Sequence, residues 1–446
     1  MKVETIKTII LVLLIMFSLL LTVALWTYQP NYDSLENEDG VIDETSINGE
    51  EVEISSLIAP NKFIFHRNGL HYAFSDPENV TVTFNELQEW TMRDLIQIED
   101  AGIPEHDGSM VEVTFPTEIP SQAMPGLFTL EDESQGVPPG EFNRMFFVFR
   151  ENGGAEVFFT SDRPDASSFR ATISEDDASR LKAASNEESQ LTDQVAFKKE
   201  DQRPIYLPKG PVSVEKDLVQ PKRIEILPLQ NELFPNPAAV KNTSTSSTEQ
   251  RLTDYYRRLE VFAQGKRMEY VDLVPNDTEV QSTLSSYDVL EESVNFINGH
   301  EGWTDTFRLN QFSPSPANST VQFNMYFDNY PLLESSDDIH KIELEFEEQT
   351  VQRYMRPLLD FEAYYQSPNQ TEQLTSGENV ISFLENSNQY SLRLIEDIQV
   401  GYRIEPQVQG YQVYELVPAW FVLENGRWKE ITELTEGGDP NAMGTN

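Results

Sequence analysis

From Ile9 to Trp26 the sequence carries no charged residue, and Ile, Leu, Val, Met and Phe fill nearly every position. At about 1.5 Å of helical rise per residue, this run covers roughly 27 Å, close to the hydrocarbon thickness of a bilayer. The run is therefore expected to be a membrane-spanning helix over 9–28, with residues 1–8 on the cytoplasmic side. Lys2 and Lys7 precede it and the first charge beyond it is Asp33, so the basic flank stays inside and the bulk of the chain faces out. A cleavable leader has a shorter apolar region ending in a small-x-small site. Thr22-Val23-Ala24 is a poor one, since it lies inside the run and is followed by Leu25 and Trp26. Trp26 and Tyr28 fit the aromatic belt at a lipid headgroup layer, and an uncleaved anchor is the favoured reading over a secreted product.

Beyond the run the chain is strongly acidic. Setting aside Lys2, Lys7 and Glu4 leaves 30 basic and 74 acidic residues, a net charge of −44. Such a surface repels polyanions, so no nucleic-acid partner is expected. There is no cysteine, which excludes disulfides, thiolate metal sites and a cysteine nucleophile. Residues 33–56 hold nine carboxylates and no Lys or Arg. Self-repulsion predicts an extended acidic stalk over 29–56.

The remainder is expected to be α+β, with antiparallel sheets and packed helices in three outer domains, 57–200, 201–335 and 336–446. FIFHRNGLHYAF alternates around Asn68-Gly69, a two-residue hairpin signal that places His66 opposite His71. VTVTFNELQEWTMRDLIQI reads as a short strand entering a helix, with Leu87, Trp90, Leu95 and Ile98 toward the core. MVEVTF is expected as a strand, 142–161 as a hairpin turning at Asn152-Gly153-Gly154, and SEDDASRLKAAS as a helix. PIYLP and RIEILPL read as strands, and RLTDYYRRLEVFAQGKRMEYVDL as a helix leading into a strand. Helices carrying SVNFI and VISFL each precede strands. The 87-residue spacings Phe296 to Phe383, Phe327 to Tyr414 and Pro331 to Pro418 point to two related helix-plus-sheet units.

Chemistry-bearing motifs are sparse. No G-x-S-x-G, H-E-x-x-H, Walker A loop or dinucleotide fingerprint is present. His66 and His71 are two ligands where a catalytic zinc needs three, and His106, His300 and His340 lie in other segments. Arg144, Arg356 and Arg403 sit among aromatic or strand residues, where pairing with the abundant acids explains them. Neither a catalytic group, a metal nor a cofactor is expected. Within the apolar run, Ser18 and Thr22 form a small-xxx-small step that lets another helix approach closely. Leu11, Leu14, Ile15, Ser18, Thr22 and Leu25 share one face at spacings of three and four, the expected partner-contact face.

KTIILVLLIMFSLLLTVALWTYQPNYD, followed by APNKFIFHRNG, FNRMFFVF, GHEGWTDTFRL, RYMRPL, VGYRI and VPAWFV, resembles the YycH (WalH) family of Gram-positive bacteria over nearly the whole chain, from Ile6 to about Ile431. The resemblance implies a single-pass membrane protein with a three-domain outer portion. It implies regulation of the cell-wall sensor histidine kinase WalK (YycG) together with a YycI companion, through contacts among transmembrane helices in membrane lipid. The alternative from another class is an outward-facing ligand- or peptide-binding module on a passive anchor.

Overall fold

The computed structural model describes residues 46–434, apart from 100–101, 105–107, 133, 135, 152, 164–165, 199–202, 245–248, 275–283, 316, 348–349, 362–363, 408–412 and 433; for 364–369 it describes the backbone alone. The apolar run, its six face residues, the first part of the acidic segment, His106 and Asn152 lie outside the described residues. Among those described, no helix is long and apolar enough to cross a membrane.

Period-two patterning builds a first sheet of ten strands among the described residues. It runs in the order Ile205–Pro208, Leu191–Phe197, Leu70–Phe74, Lys62–Arg67, Ser109–Pro120, Glu141–Phe149, Ala155–Thr160, Ser168–Ile173, Thr91–Ile98, Thr129–Leu130. Phe63, Phe65, Val111, Val113, Met145 and Phe147 fall on one face and are fully buried in the main core. The alternate residues form the second face. Strand register there puts Lys62, Thr114, Arg144 and Thr160 in one row across four strands, and Ile64, Glu112, Phe146 and Phe158 in the next. As expected, His66 pairs directly with His71 across the first hairpin.

Among the described residues, a second sheet of fourteen strands occupies 212–430. Its pairings are antiparallel except where Tyr330–Ser335 lies parallel to Ile395–Pro406. The helix Ser286–Asn298 packs on it through Val289, Leu290, Val294 and Ile297, and its start is fixed by a reciprocal Ser285/Asp288 capping box. The helix Gly377–Asn386 buries Val380 and Leu384 against Leu207 and Ile205 of the first sheet and Trp420 of the second. Closeness there requires glycine, because a Cβ on Gly377 would meet Leu207 Cβ at 2.5 Å. The two sheets are further tied where Thr81 Oγ1 and Arg308 Nη2 both donate to Asn329 Oδ1, at 2.7 and 2.9 Å.

Three segments differ from expectation. Pro77–Gln88 is a helix and Thr91–Ile98 a strand, the reverse of the order read from the sequence. Asp76 caps the helix and Pro77 occupies its first turn, while Val80, Phe84 and Leu87 make the buried stripe. Arg251–Asp272 is a run of strands, Arg251–Thr253, Arg257–Phe262 and Arg267–Asp272, turning through positive φ at Ala263, Gln264 and Gly265. Ile226–Leu233 is a helix where RIEILPL read as a strand, and only Lys222–Arg223 pairs as a strand there.

The helix-then-antiparallel-strands order does recur. Ser286–Asn298 precedes Phe307–Ser313 and Asn318–Phe327, and Gly377–Asn386 precedes Ile395–Pro406 and Tyr414–Glu424. Phe296 and Phe383 both lie on the helices. The other two spacings are not equivalences: Phe327 ends a strand and Tyr414 begins one, while Pro331 and Pro418 take different places along theirs.

The acidic segment does not stay apart from the fold through residue 56. From Ser46 on it lies on the end of the helix Ser286–Asn298 and the loop that follows. Glu50 forms an antiparallel bridge with Trp303. Asn298 Oδ1 accepts from the Val52 amide, its Nδ2 donates to the Val52 carbonyl, both at 3.0 Å, and Oδ1 also takes the Trp303 indole N–H at 2.8 Å. Ile47 is buried, its amide donating to the His300 carbonyl, and Ser46 pairs with Glu301.

Candidate functional site

The second face of the first sheet opens on a cleft of about 670 Å³ whose opposite wall comes from Gln311–Ser313, Glu396, Asp397, Leu423 and Gly426. Four basic side chains (Lys62, Arg144, Arg163, Arg203) and four acidic ones (Glu118, Asp162, Glu396, Asp397) line it. In a chain of net charge −43 this is a charge-balanced hollow.

Its floor is an alternating ion network. Arg144 pairs with Glu112 and, at 3.0 Å through Nε, with Asp162; Arg203 Nε lies 3.3 Å from the same Asp162 oxygen. Glu112 is 4% exposed, and its other oxygen meets His66 Nε2 at 3.0 Å. Burial alone would raise the Glu112 carboxyl, but Arg144 and the hydrogen bonds from His66 and Arg144 outweigh it and hold the group below the ordinary carboxylate value. The same balance lowers Asp162, and Arg144 is raised because two carboxylates outweigh its own burial.

Two charged groups stand apart from this network. Lys62 Nζ donates to the Tyr206 and Ile398 carbonyls at 2.9 and 3.3 Å, so the ammonium bridges both sheets through neutral acceptors. Burial pushes its pKa down, with Arg144 adding to that and Asp397 opposing it. Glu118, 8% exposed, accepts from Ser161 Oγ at 2.8 Å and the Asp162 amide at 3.2 Å through Oε1. Its Oε2 is buried and meets no donor among the described residues. Burial, joined by the charges of Glu141 and Asp162, raises this carboxyl to about 7.

The expected residues fall elsewhere or play other parts. His66 Nδ1 lies 2.8 Å from His71 Nδ1. Two nitrogens each about 2.0–2.1 Å from a tetrahedral metal would stand roughly 3.3 Å apart, so the pair is hydrogen-bonded rather than set to chelate. No cluster of three metal-ligating side chains occurs among the described residues. Arg144 and Arg403 do pair with acids, Arg403 with Glu405 and Glu430. Arg356 differs. Fully buried, it donates to the Gly302 carbonyl at 2.8 Å, the Pro357 carbonyl at 3.1 Å and Thr304 Oγ1 at 3.2 Å, fixing the loop on which Trp303 sits. Lys62, Glu118 and Arg203 were not singled out in the sequence; the period-two phase that puts Lys62 and Glu112 opposite Phe63 and Val111 was the available signal.

Two large, mostly antiparallel sheets with helices packed on them, and a charge-balanced cleft between the sheets, define an α+β protein built from interlocked halves. The chain belongs to the YycH family: the family description "YycH protein, N-terminal domain" matches residues 4–188, and "YycH protein, C-terminal domain" matches 202–439. The Two-component system WalR/WalK regulatory protein YycH of Bacillus subtilis (strain 168) is 22% identical over 453 residues, covering 97% of each chain. The crystal structure of YycH from Bacillus subtilis aligns with a TM-score of 0.68 at 18% identity, over 87% of this chain and 99% of that one, which shows a shared fold. The Bacillus megaterium YpeB C-terminal domain aligns at a TM-score of only 0.23, too distant for structural equivalence. Membership in a family with a two-component regulator supports a regulatory role for this chain.

Proposed function

We propose that the chain is a non-enzymatic, single-pass membrane regulator of a WalK-type sensor histidine kinase. It acts with a YycI-type companion, with its N-terminus cytoplasmic and three outer domains divided near residues 200 and 335. The anchor helix packs through Leu11, Leu14, Ile15, Ser18, Thr22 and Leu25 against helices of its partners in the lipid. Regulation then requires that this packing differ in free energy between two kinase states, since tethering alone shifts nothing.

The observation that carries the proposal is the docking of Glu50 and Val52 onto Trp303 and Asn298. It leaves only residues 27–45 of the sequence between the apolar run and the folded portion. Family membership, and the likeness to the Bacillus subtilis WalR/WalK regulatory protein, support the kinase class.

The intersheet cleft favours a second reading, an outward binding module on a passive anchor. Replacing residues 9–26 with an unrelated spanning segment separates the two. Lost regulation with normal membrane insertion supports helix contacts, and retained regulation supports the passive anchor.

A further inference from the structure

We infer that the cleft between the two sheets is a binding site for a short, zwitterionic peptide of two or three residues, whose ammonium or amide donor meets Glu118 and whose carboxylate meets Lys62.

Size is the first argument. A volume of about 670 Å³ falls within the range of small-molecule sites, roughly 300–1,000 Å³. Charge is the second: a hollow lined by equal numbers of acids and bases selects neither a polyanion nor a polycation, and a dipolar neutral ligand incurs no net repulsion. Glu118 and Lys62 give the polarity. Arg144, Asp162 and Arg203 largely satisfy one another. Glu118 Oε2, by contrast, is buried with no donor among the described residues, and a buried acceptor left without a donor costs about 1–3 kcal/mol. Lys62 is held by two neutral carbonyls, and an ammonium has three donors.

Spacing sets the ligand length. Thr114 pairs with Lys62, and Glu118 lies four residues further along that strand, so the two backbones are at most roughly 14 Å apart at about 3.3 Å per residue and a 4.8 Å strand separation. A peptide of two or three residues, at about 3.3–3.6 Å each, fits within that limit. The Glu118 carboxyl, raised to about 7, ionises before a peptide ammonium of pKa about 7.7–8.0 loses its proton, so affinity should rise from pH 6 to a maximum at about pH 7.5. The inference is independent of the helix contacts, because it concerns binding alone.

The test is calorimetric titration of the full chain in detergent micelles with trialanine, succinate and putrescine. Trialanine should bind saturably at submillimolar concentration, and succinate and putrescine should not. Glu118→Gln and Lys62→Gln, each checked for a cooperative melting transition, should each weaken trialanine at least tenfold. Independently of any variant, trialanine should slow amide exchange at 114–118 and 203–206. Absence of saturable trialanine binding, equal binding of succinate or putrescine, or wild-type affinity in either folded variant overturns the inference. If a variant does not fold, unchanged exchange at those segments in the wild type overturns it equally.

Discussion

Glu50 and Trp303 are 253 residues apart in sequence yet exchange two backbone hydrogen bonds, the Glu50 amide donating to the Trp303 carbonyl at 3.0 Å and the Trp303 amide returning to Glu50 at 3.4 Å. The bridge fastens the acidic segment to the second half of the chain, although ten strands of the first sheet come between them in sequence. Asn298 holds the same junction from the helix end with both its oxygen and its nitrogen. A pull on the segment therefore acts first on the helix Ser286–Asn298 and the loop braced by Arg356.

Asn298→Ala should release this junction without unfolding the protein. It removes two bonds to Val52 and the acceptor of the Trp303 indole, each worth about 1 kcal/mol net. Amide exchange at 47–52 should accelerate by roughly 30- to 100-fold, at about 1.4 kcal/mol per factor of ten, while the strands of the first sheet keep their protection. Unchanged exchange at 47–52 would contradict the assignment.

Arg144→Met leaves the buried Glu112 without its cation and should cost about 3–5 kcal/mol at neutral pH, the usual penalty for breaking a buried pair. Glu112 sits below its ordinary pKa in the folded protein, so the stability it contributes is present above the unfolded value and is lost as pH falls through the folded one. In the variant burial is no longer opposed by Arg144 and raises the Glu112 carboxyl, so the variant takes up its proton at higher pH than wild type and the gap should narrow as pH drops from 7 toward 4. Urea unfolding at both pH values measures it, and Glu112→Gln in the Arg144→Met background should recover part of the loss at pH 7.

Glu118→Gln has the opposite pH signature. The folded carboxyl titrates at about 7, above its unfolded value, so the folded state binds more protons between those limits and stability declines as pH rises through 7. The variant cannot ionise. It should be about 1–3 kcal/mol more stable than wild type at pH 8, with the difference fading near pH 4. Thermal melts across that range would check it, and a constant difference would place the carboxyl in water.

Most first-sheet strands were legible because apolar residues recur at every second position on one face, as in Phe63 and Phe65 or Val111 and Val113. The exchanged order at Pro77–Ile98 traces to the β-branched VTVT stretch, whose strand propensity masked the Asp76-Pro77 start signal and the Val80, Phe84, Leu87 stripe. In Arg251–Asp272, Leu259 and Val261 alternate into the core, as do Met268 and Tyr270, but the bases and acids between them imitate an amphipathic helix. The docked segment could not be read locally, because the backbone of Val52 is held by Asn298, 246 positions away. The same holds for the cleft: Lys62 faces Ile398 across 336 positions, and no local pattern encodes that encounter. Gly302 shows how tight the junction is, since a Cβ there would come within 2.6 Å of Ile297 Cγ2.

The proposed helix contacts are tested most directly by single cysteines placed in turn at positions 9–26 of this naturally cysteine-free chain, followed by crosslinking to the kinase in intact membranes. The account predicts strong crosslinks at Leu11, Leu14, Ile15, Ser18, Thr22 and Leu25 and weak ones on the opposite face, with three- to fourfold helical periodicity. Crosslinks of equal strength around the helix, or none to the kinase at any position, would contradict it.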